Sequence, residues 1–160
     1  MNAKIKEIVV YVAIIVGVVL IRTFVITPIR VNGTSMYPTL DNGYFMLLKK
    51  YDKNSIERFD IVVVKRGDSK LIKRVIGLPK EDIEYKDNEL YINDEAVEDE
   101  YGSGYTNDFV DYCAKDEYYV LGDNREDSTD SRIFGCVKKA NILGKTNLIV
   151  FPFNKIGKVN

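Results

Sequence analysis

Hydrophobic positions divide this chain into two regimes. From Ile8 to Ile21 every residue is apolar, glycine or tyrosine, and after Arg22 and Thr23 the run resumes as Phe24-Val25-Ile26 before Thr27-Pro28. A helix from Ile8 to Ile26 would be about 28 Å long, close to the roughly 30 Å hydrocarbon core of a bilayer. Beyond Pro28 the apolar runs become short, β-branched and aromatic, the mark of strands: 44–48, 60–64, 70–77, 118–121 and 148–151. Segments 83–85 and 90–92 alternate around Lys86-Asp87-Asn88-Glu89 and predict a hairpin. Residues 93–117 are acidic, carry Gly102 and Gly104 and show little periodicity, the composition of a mobile surface loop. The expected fold class is mostly β: a single-pass N-terminal transmembrane helix (residues 1–27 with its cytoplasmic stub), then an antiparallel β-sheet or barrel-like catalytic domain (28–160).

Charge orients this arrangement. Lys4 and Lys6 outweigh Glu7 ahead of the apolar run, which predicts a cytoplasmic N-terminus and an extracytoplasmic β domain. Arg22, near the far end, can snorkel to the headgroups. No small-x-small site follows the run, so an uncleaved anchor is expected rather than a removable signal peptide. Over 160 residues the 23 Lys and Arg nearly balance the 24 Asp and Glu without a basic block, which argues against nucleic acid as partner.

Histidine is absent, and the chain has two cysteines. A usual structural zinc site is thereby excluded, and so is any Ser-His-Asp mechanism. A serine nucleophile would need Lys, Asp or Glu as base. Ser35 occupies the one suggestive setting, on the turn Asn32-Gly33-Thr34-Ser35-Met36-Tyr37-Pro38 between a glycine and a proline that forbid regular structure. Such a turn can present Oγ together with backbone N–H groups; it can equally be an ordinary loop.

A base is available in Lys70-Leu71-Ile72-Lys73-Arg74-Val75-Ile76. Alternation along a strand puts Leu71, Lys73 and Val75 on one side and Ile72, Arg74 and Ile76 on the other. Each face carries one cation, and if only one face meets solvent, one cation is forced inward. Lysine can be neutralised by desolvation whereas arginine cannot. To act near neutrality, the Lys73 pKa must fall from roughly 10.4 toward 7, a cost of about 4 kcal/mol. Snorkelling from a sheet edge is the alternative. In Gly122-Asp123-Asn124-Arg125-Glu126-Asp127-Ser128-Thr129-Asp130-Ser131-Arg132, turn formers and opposed charges alternate. Asp123 or Asp130 facing Arg125 or Arg132 would hold such a loop rigid, with Ser128 or Ser131 near an amine.

Taken in order, the N-terminal apolar run, Gly33-Thr34-Ser35-Met36-Tyr37-Pro38-Thr39-Leu40, Phe59-Asp60-Ile61-Val62-Val63, Lys73-Arg74-Val75-Ile76-Gly77-Leu78-Pro79 and Gly122-Asp123-Asn124-Arg125 through Gly135 resemble the bacterial type I signal peptidase family, in its smaller Gram-positive form. The resemblance implies a membrane-bound serine protease that cuts signal peptides from exported preproteins after small-x-small sites, with no cofactor and no metal, acting as a monomer at the bilayer. It implies Ser35 as nucleophile, Lys73 as general base and Ser128 as the hydroxyl that orients the lysine. Asp130 and Arg132 match a structural ion pair, and Asp123 and Arg125 shape the same region. The Ser35 N–H would hold the oxyanion; where some relatives place a second, serine donor, this chain has Gly33, which leaves a backbone group, Thr34 or water for that role. Ile29, Val31, Met36, Leu40 and Ile72 match positions lining the substrate pockets. Cys136 stands where relatives often carry proline, and Cys113 and Cys136 could be bridged or free. Two rival readings are a self-cleaving repressor-type protease, disfavoured by the apolar N-terminal run, and a membrane-tethered β module that only binds peptides.

Overall fold

The computed structural model describes residues 3–50 and 55–159, so the first two residues of the expected cytoplasmic stub and the final residue lie outside it. Helix α1 spans Ala3–Phe24. Strand β1 (Ile26–Arg30) follows almost at once. The helix therefore stops short of the predicted Ile26. Pro28 cannot continue it, and the Thr27 hydroxyl donates to the Arg22 carbonyl (2.9 Å), satisfying one of the acceptors left at its end. Its described apolar side chains stay exposed, with Ile8, Tyr11 and Ile15 each more than 60% accessible, so no protein core covers them. Among the described residues no helix is long and apolar enough to cross a membrane. The side chains of Ile21, Thr23 and Phe24, part of the predicted run, lie outside that description.

The remaining strands are β2 (Phe45–Lys49), β3 (Ile61–Arg66), β4 (Ser69–Gly77), β5 (Asp82–Lys86), β6 (Glu89–Ile92), β7 (Glu95–Val97), β8 (Phe109–Tyr112), β9 (Glu117–Leu121), β10 (Val137–Lys138), β11 (Ile142–Phe151) and β12 (Gly157–Lys158). The larger sheet runs β1-β2-β11-β3-β4-β9-β10 with β12 beside β11, and the smaller runs β7-β6-β5-β8. The named strands pair antiparallel throughout. The fold is thus mostly β and antiparallel, as its alternating runs predict. The large sheet is open rather than a closed barrel, with β1 and β10 as its ends.

Two apolar clusters position the site. Val31, Met36, Leu40, Met46, Ile61 and Ile149 hold the Ser35 turn onto the sheet. Ile76, Ile83, Tyr85, Leu90, Ile92, Cys113, Tyr119 and Leu121 join the small sheet to β4 and β9. The 93–117 segment, expected as a mobile surface loop, instead contributes β7 and β8 to the small sheet and buries Thr106. Several of its polar groups have specific distant partners, Asp99 with Arg125 and the Thr106 amide with Asn88 among them, which hydrophobic periodicity does not register. Cys113 and Cys136 form a disulfide across 23 residues, resolving the two alternatives in favour of the bridge.

Candidate active site

Ser35 is presented by a tightly tied turn. Val31 N–H donates to the Tyr44 carbonyl (2.8 Å) and Gly43 N–H to that of Val31 (2.9 Å), closing the base of the loop. Gly33 takes φ +92°, a left-handed conformation that glycine adopts without strain, and its N–H donates to Asn42 Oδ1 (2.9 Å). Met36 and Leu40, buried in the cluster below, fix the turn from its far side. The Ser35 carbonyl accepts from Asn124 N–H (3.1 Å), which ties the turn to the loop after β9.

Lys73, on β4, is 2% exposed; its Nζ donates to Ser35 Oγ (2.7 Å) and to Ser128 Oγ (3.0 Å). Ser35, Lys73 and Ser128, far apart in sequence, therefore meet at one amine. Burial pushes the Lys73 pKa down from 10.5 to about 8, and Arg132 pushes the same way, while Asp130, Asp123 and Asp127 pull it back up. Those carboxylates oppose the effect of burial. Such an amine is partly neutral under mildly alkaline conditions and sits within reach of a hydroxyl proton.

Arg74 departs from the expectation that only one of the two cations is buried: both faces of β4 are covered, and Arg74 has no exposed surface. Its guanidinium forms a two-pronged pair with Asp123 (2.8 and 2.7 Å), donates to the Phe59 carbonyl (2.8 Å) and lies 3.7 Å from the centre of the Tyr101 ring. Asp123 thus pairs with Arg74 rather than with Arg125 or Arg132. Arg125 instead donates to Asp99 (2.6 Å), the Tyr85 hydroxyl (2.6 Å) and the Gly122 carbonyl (2.9 Å). Asp130 and Arg132 do pair (2.9 and 2.8 Å). Asp130 also caps helix α2 (Ser131–Phe134) and accepts from Gly122 N–H (3.1 Å). Burial alone would raise the Asp130 pKa, but Arg132, the Gly122 amide and the Ser128 hydroxyl hold it below the usual carboxylate range.

Ile29 and Ile72 are half-buried and line a cleft of about 440 Å³ between β1 and the β3–β4 hairpin, together with Pro28, Arg30, Asn32, Val63, Asp68 and Lys70. Val31, Met36 and Leu40 lie beneath, in the core cluster that Ile29 and Ile72 pack against. The Thr34 hydroxyl donates to Asp127 (2.6 Å) and the Gly33 amide is committed to Asn42, so neither faces an open site in this state. Sequence reasoning missed Asp99, Tyr85, Tyr101 and Gly122 as individual contributors, and gave Arg74 no partner. Strand alternation does set Arg74 opposite Lys73, but nothing in the sequence separates Asp99 from Glu98 and Glu100 beside it.

Residues 4–151 match the family model described as signal peptidase, peptidase S26. The chain belongs to that family. It is a signal peptidase hydrolase, and signal peptidases act on the signal peptides of preproteins. The chain is similar to signal peptidase I S of Bacillus subtilis (strain 168), at 38% identity over 92% of this chain and 91% of the relative. To signal peptidase I V of the same strain it is 40% identical over 84% and 93%. A crystal structure of a signal peptidase I from Enterococcus faecalis V583 superposes with a TM-score of 0.53 at 37% identity, covering 57% of this chain and 96% of that one. Among signal peptidases, then, this one brings a serine, a buried lysine and a second serine into mutual hydrogen-bond reach.

Proposed function

We propose that this chain is a membrane-anchored serine endopeptidase that removes signal peptides after small-x-small (Ala-x-Ala-like) sites, with Ser35 and Lys73 as its catalytic pair. The observation that carries the reading is the 2.7 Å contact between a lysine nitrogen lowered to about 8 and the Ser35 hydroxyl.

An extended peptide pairs along the free edge of β1, with its small side chains in the cleft between Ile29 and Ile72, over the floor of Val31, Met36 and Leu40. Larger side chains clash with Ile29 and Ile72, which flank the cleft. Neutral Lys73 takes the Ser35 proton as Oγ bonds to the scissile carbonyl carbon, and the ammonium returns that proton to the departing amine. Water then attacks the acyl carbon as Lys73 takes its proton, the bond to Ser35 Oγ breaks as Lys73 hands that proton to the serine oxygen, and the signal peptide leaves with a free carboxylate. Ser128 keeps the amine aimed at both events. The Ser35 N–H stabilises the oxyanion, an interaction whose loss costs on the order of 3 kcal/mol.

The exposed apolar surface of α1, with Lys4 and Lys6 before it, is assigned to the bilayer, N-terminus inside and β domain outside. This anchor holds the site where the apolar helix of a signal peptide ends, raising local substrate concentration without new contacts. Ser35, Lys73 and Ser128 all come from one chain, so a monomer suffices. The test is incubation of the full chain in detergent micelles with a preprotein bearing an Ala-x-Ala site, followed by mass analysis. Cleavage after the second alanine that vanishes in Ser35→Ala is the expected result; cleavage that persists in that variant refutes the nucleophile.

A further inference from the structure

The segment that looks in sequence like a loose acidic loop grips the catalytic loop at several points. Ser103 N–H donates to the Asp123 carbonyl (2.7 Å) and Arg125 N–H to the Ser103 carbonyl (2.9 Å), an isolated parallel bridge centred on Ser103 and Asn124. Gly102 lies flat on the Arg125 guanidinium: a Cβ there would fall 2.5 Å from Nη1. Asp99, from the same segment, accepts from Arg125 Nη2 (2.6 Å) and from the Tyr85 hydroxyl, which in turn accepts from Arg125 Nη1 (2.6 Å). All three guanidinium nitrogens are therefore assigned, the third to the Gly122 carbonyl (2.9 Å).

Gly122 is the point at which this network touches the chemistry. A Cβ built on it would lie 2.2 Å from Ser128 Oγ and 2.3 Å from the Ser35 carbonyl, so its backbone is wedged between the two serines that flank Lys73. A shift of its carbonyl moves that wedge.

Resting on the Ser35–Lys73 reading above, we propose that Asp99 is a positioning residue for the reaction, holding Arg125 so that Arg125 fixes Gly122 and hence the spacing of Ser35 and Ser128 about Lys73. The side chains of Arg125 and Asp99 are only 2% and 7% exposed, so removing the carboxylate strands a buried guanidinium. It then turns toward other acceptors and releases the Gly122 carbonyl. Asp99 holds Arg125 as a carboxylate. Burial opposes its charge, but Arg125, Tyr85 and the Tyr101 amide keep its pKa below the ordinary value.

The experiment uses the full chain in detergent micelles, labelled with ¹³C-lysine, with the Lys73 resonance identified by its loss in Lys73→Ala. In Asp99→Asn, kcat on an Ala-x-Ala peptide is expected to fall roughly ten- to a hundredfold while KM stays within about twofold. The Lys73 titration midpoint, about 8 in the parent, should move upward as water reaches the amine. Tyr85→Phe, which keeps the ring and removes one hydroxyl, should shift both readouts less, and Asp99→Glu should restore part of the loss. A folded Asp99→Asn or Tyr85→Phe chain with parental kcat and an unmoved midpoint, whatever its melting temperature, overturns the proposal. A parental midpoint at the ordinary lysine value strikes instead at the Ser35–Lys73 reading, and takes the Asp99 role with it.

Discussion

Gly122 and Ser128 are in such close approach that a methyl group on Gly122 would overlap the Ser128 hydroxyl, at 2.2 Å from Oγ. Ser128 in turn accepts from Lys73 at 3.0 Å. Gly122→Ala must therefore displace either Ser128 or the Ser35 carbonyl on the other side. Cleavage is expected to fall about a hundredfold, while overpacking costs only about 1–3 kcal/mol of stability. Peptide cleavage and thermal melting of the same preparation check this; a fall in melting temperature with full activity would contradict it.

The Arg74–Asp123 pair has no exposed side-chain surface on either partner. Cutting one member leaves the other charge buried without compensation. Asp123→Ala should cost about 3–5 kcal/mol, read from urea unfolding followed by tyrosine fluorescence, which eleven tyrosines and no tryptophan make convenient. Replacing both partners by apolar residues of similar volume should cost less than Asp123→Ala alone.

Stability should depend on pH through Lys73. Its folded pKa, about 8, lies below its unfolded value of 10.5, so the unfolded chain binds this proton more tightly. Between those values unfolding takes up a proton, and stability rises with pH, by about 3 kcal/mol across the window. Below pH 8 the full penalty of burying the ammonium applies. Lys73→Met should lose this dependence, which urea midpoints between pH 7.5 and 10.5 would reveal. Asp99 and Asp130 work in the same sense at lower pH: with depressed folded values, their contribution is present above the usual carboxylate range and lost as pH falls through those values.

The Cys113–Cys136 bridge closes a loop across 23 residues, from the end of β8 to the residues after α2. By the loop-entropy argument, reduction should destabilise the β domain by about 3 kcal/mol. Unfolding in the presence and absence of reductant measures this directly, with Cys113→Ser/Cys136→Ser as the reductant-independent control.

Much of this was legible in the sequence where a strong periodic or stereochemical signal exists. Alternation located most of the large sheet and placed Lys73 and Arg74 on opposite faces of β4; the missing histidines left Lys, Asp or Glu as the base a serine nucleophile would need; Gly33 and Pro38 marked the Ser35 turn. What escaped were pairings between polar groups distant in sequence. Asp123 chose Arg74 over the nearer Arg125 because β4 and β9 are neighbours in the sheet, with Arg74 opposite Leu121. Asp99 looked like any residue of an acidic stretch, because its ionic partner lies 26 positions away. The end of α1 was misjudged for a local reason: apolar content continues to Ile26, but the backbone changes at Val25, where the chain enters β1.

The claim on which all else depends is that buried Lys73 serves as the base for Ser35, and the pH dependence of kcat/KM for Ala-x-Ala cleavage by the full chain tests it most directly. The account predicts an acidic limb with an apparent pKa near 8, and no Ser35-dependent cleavage at any pH in Lys73→Met. A profile with no limb near 8, or cleavage that survives the loss of the Lys73 amine, would contradict it.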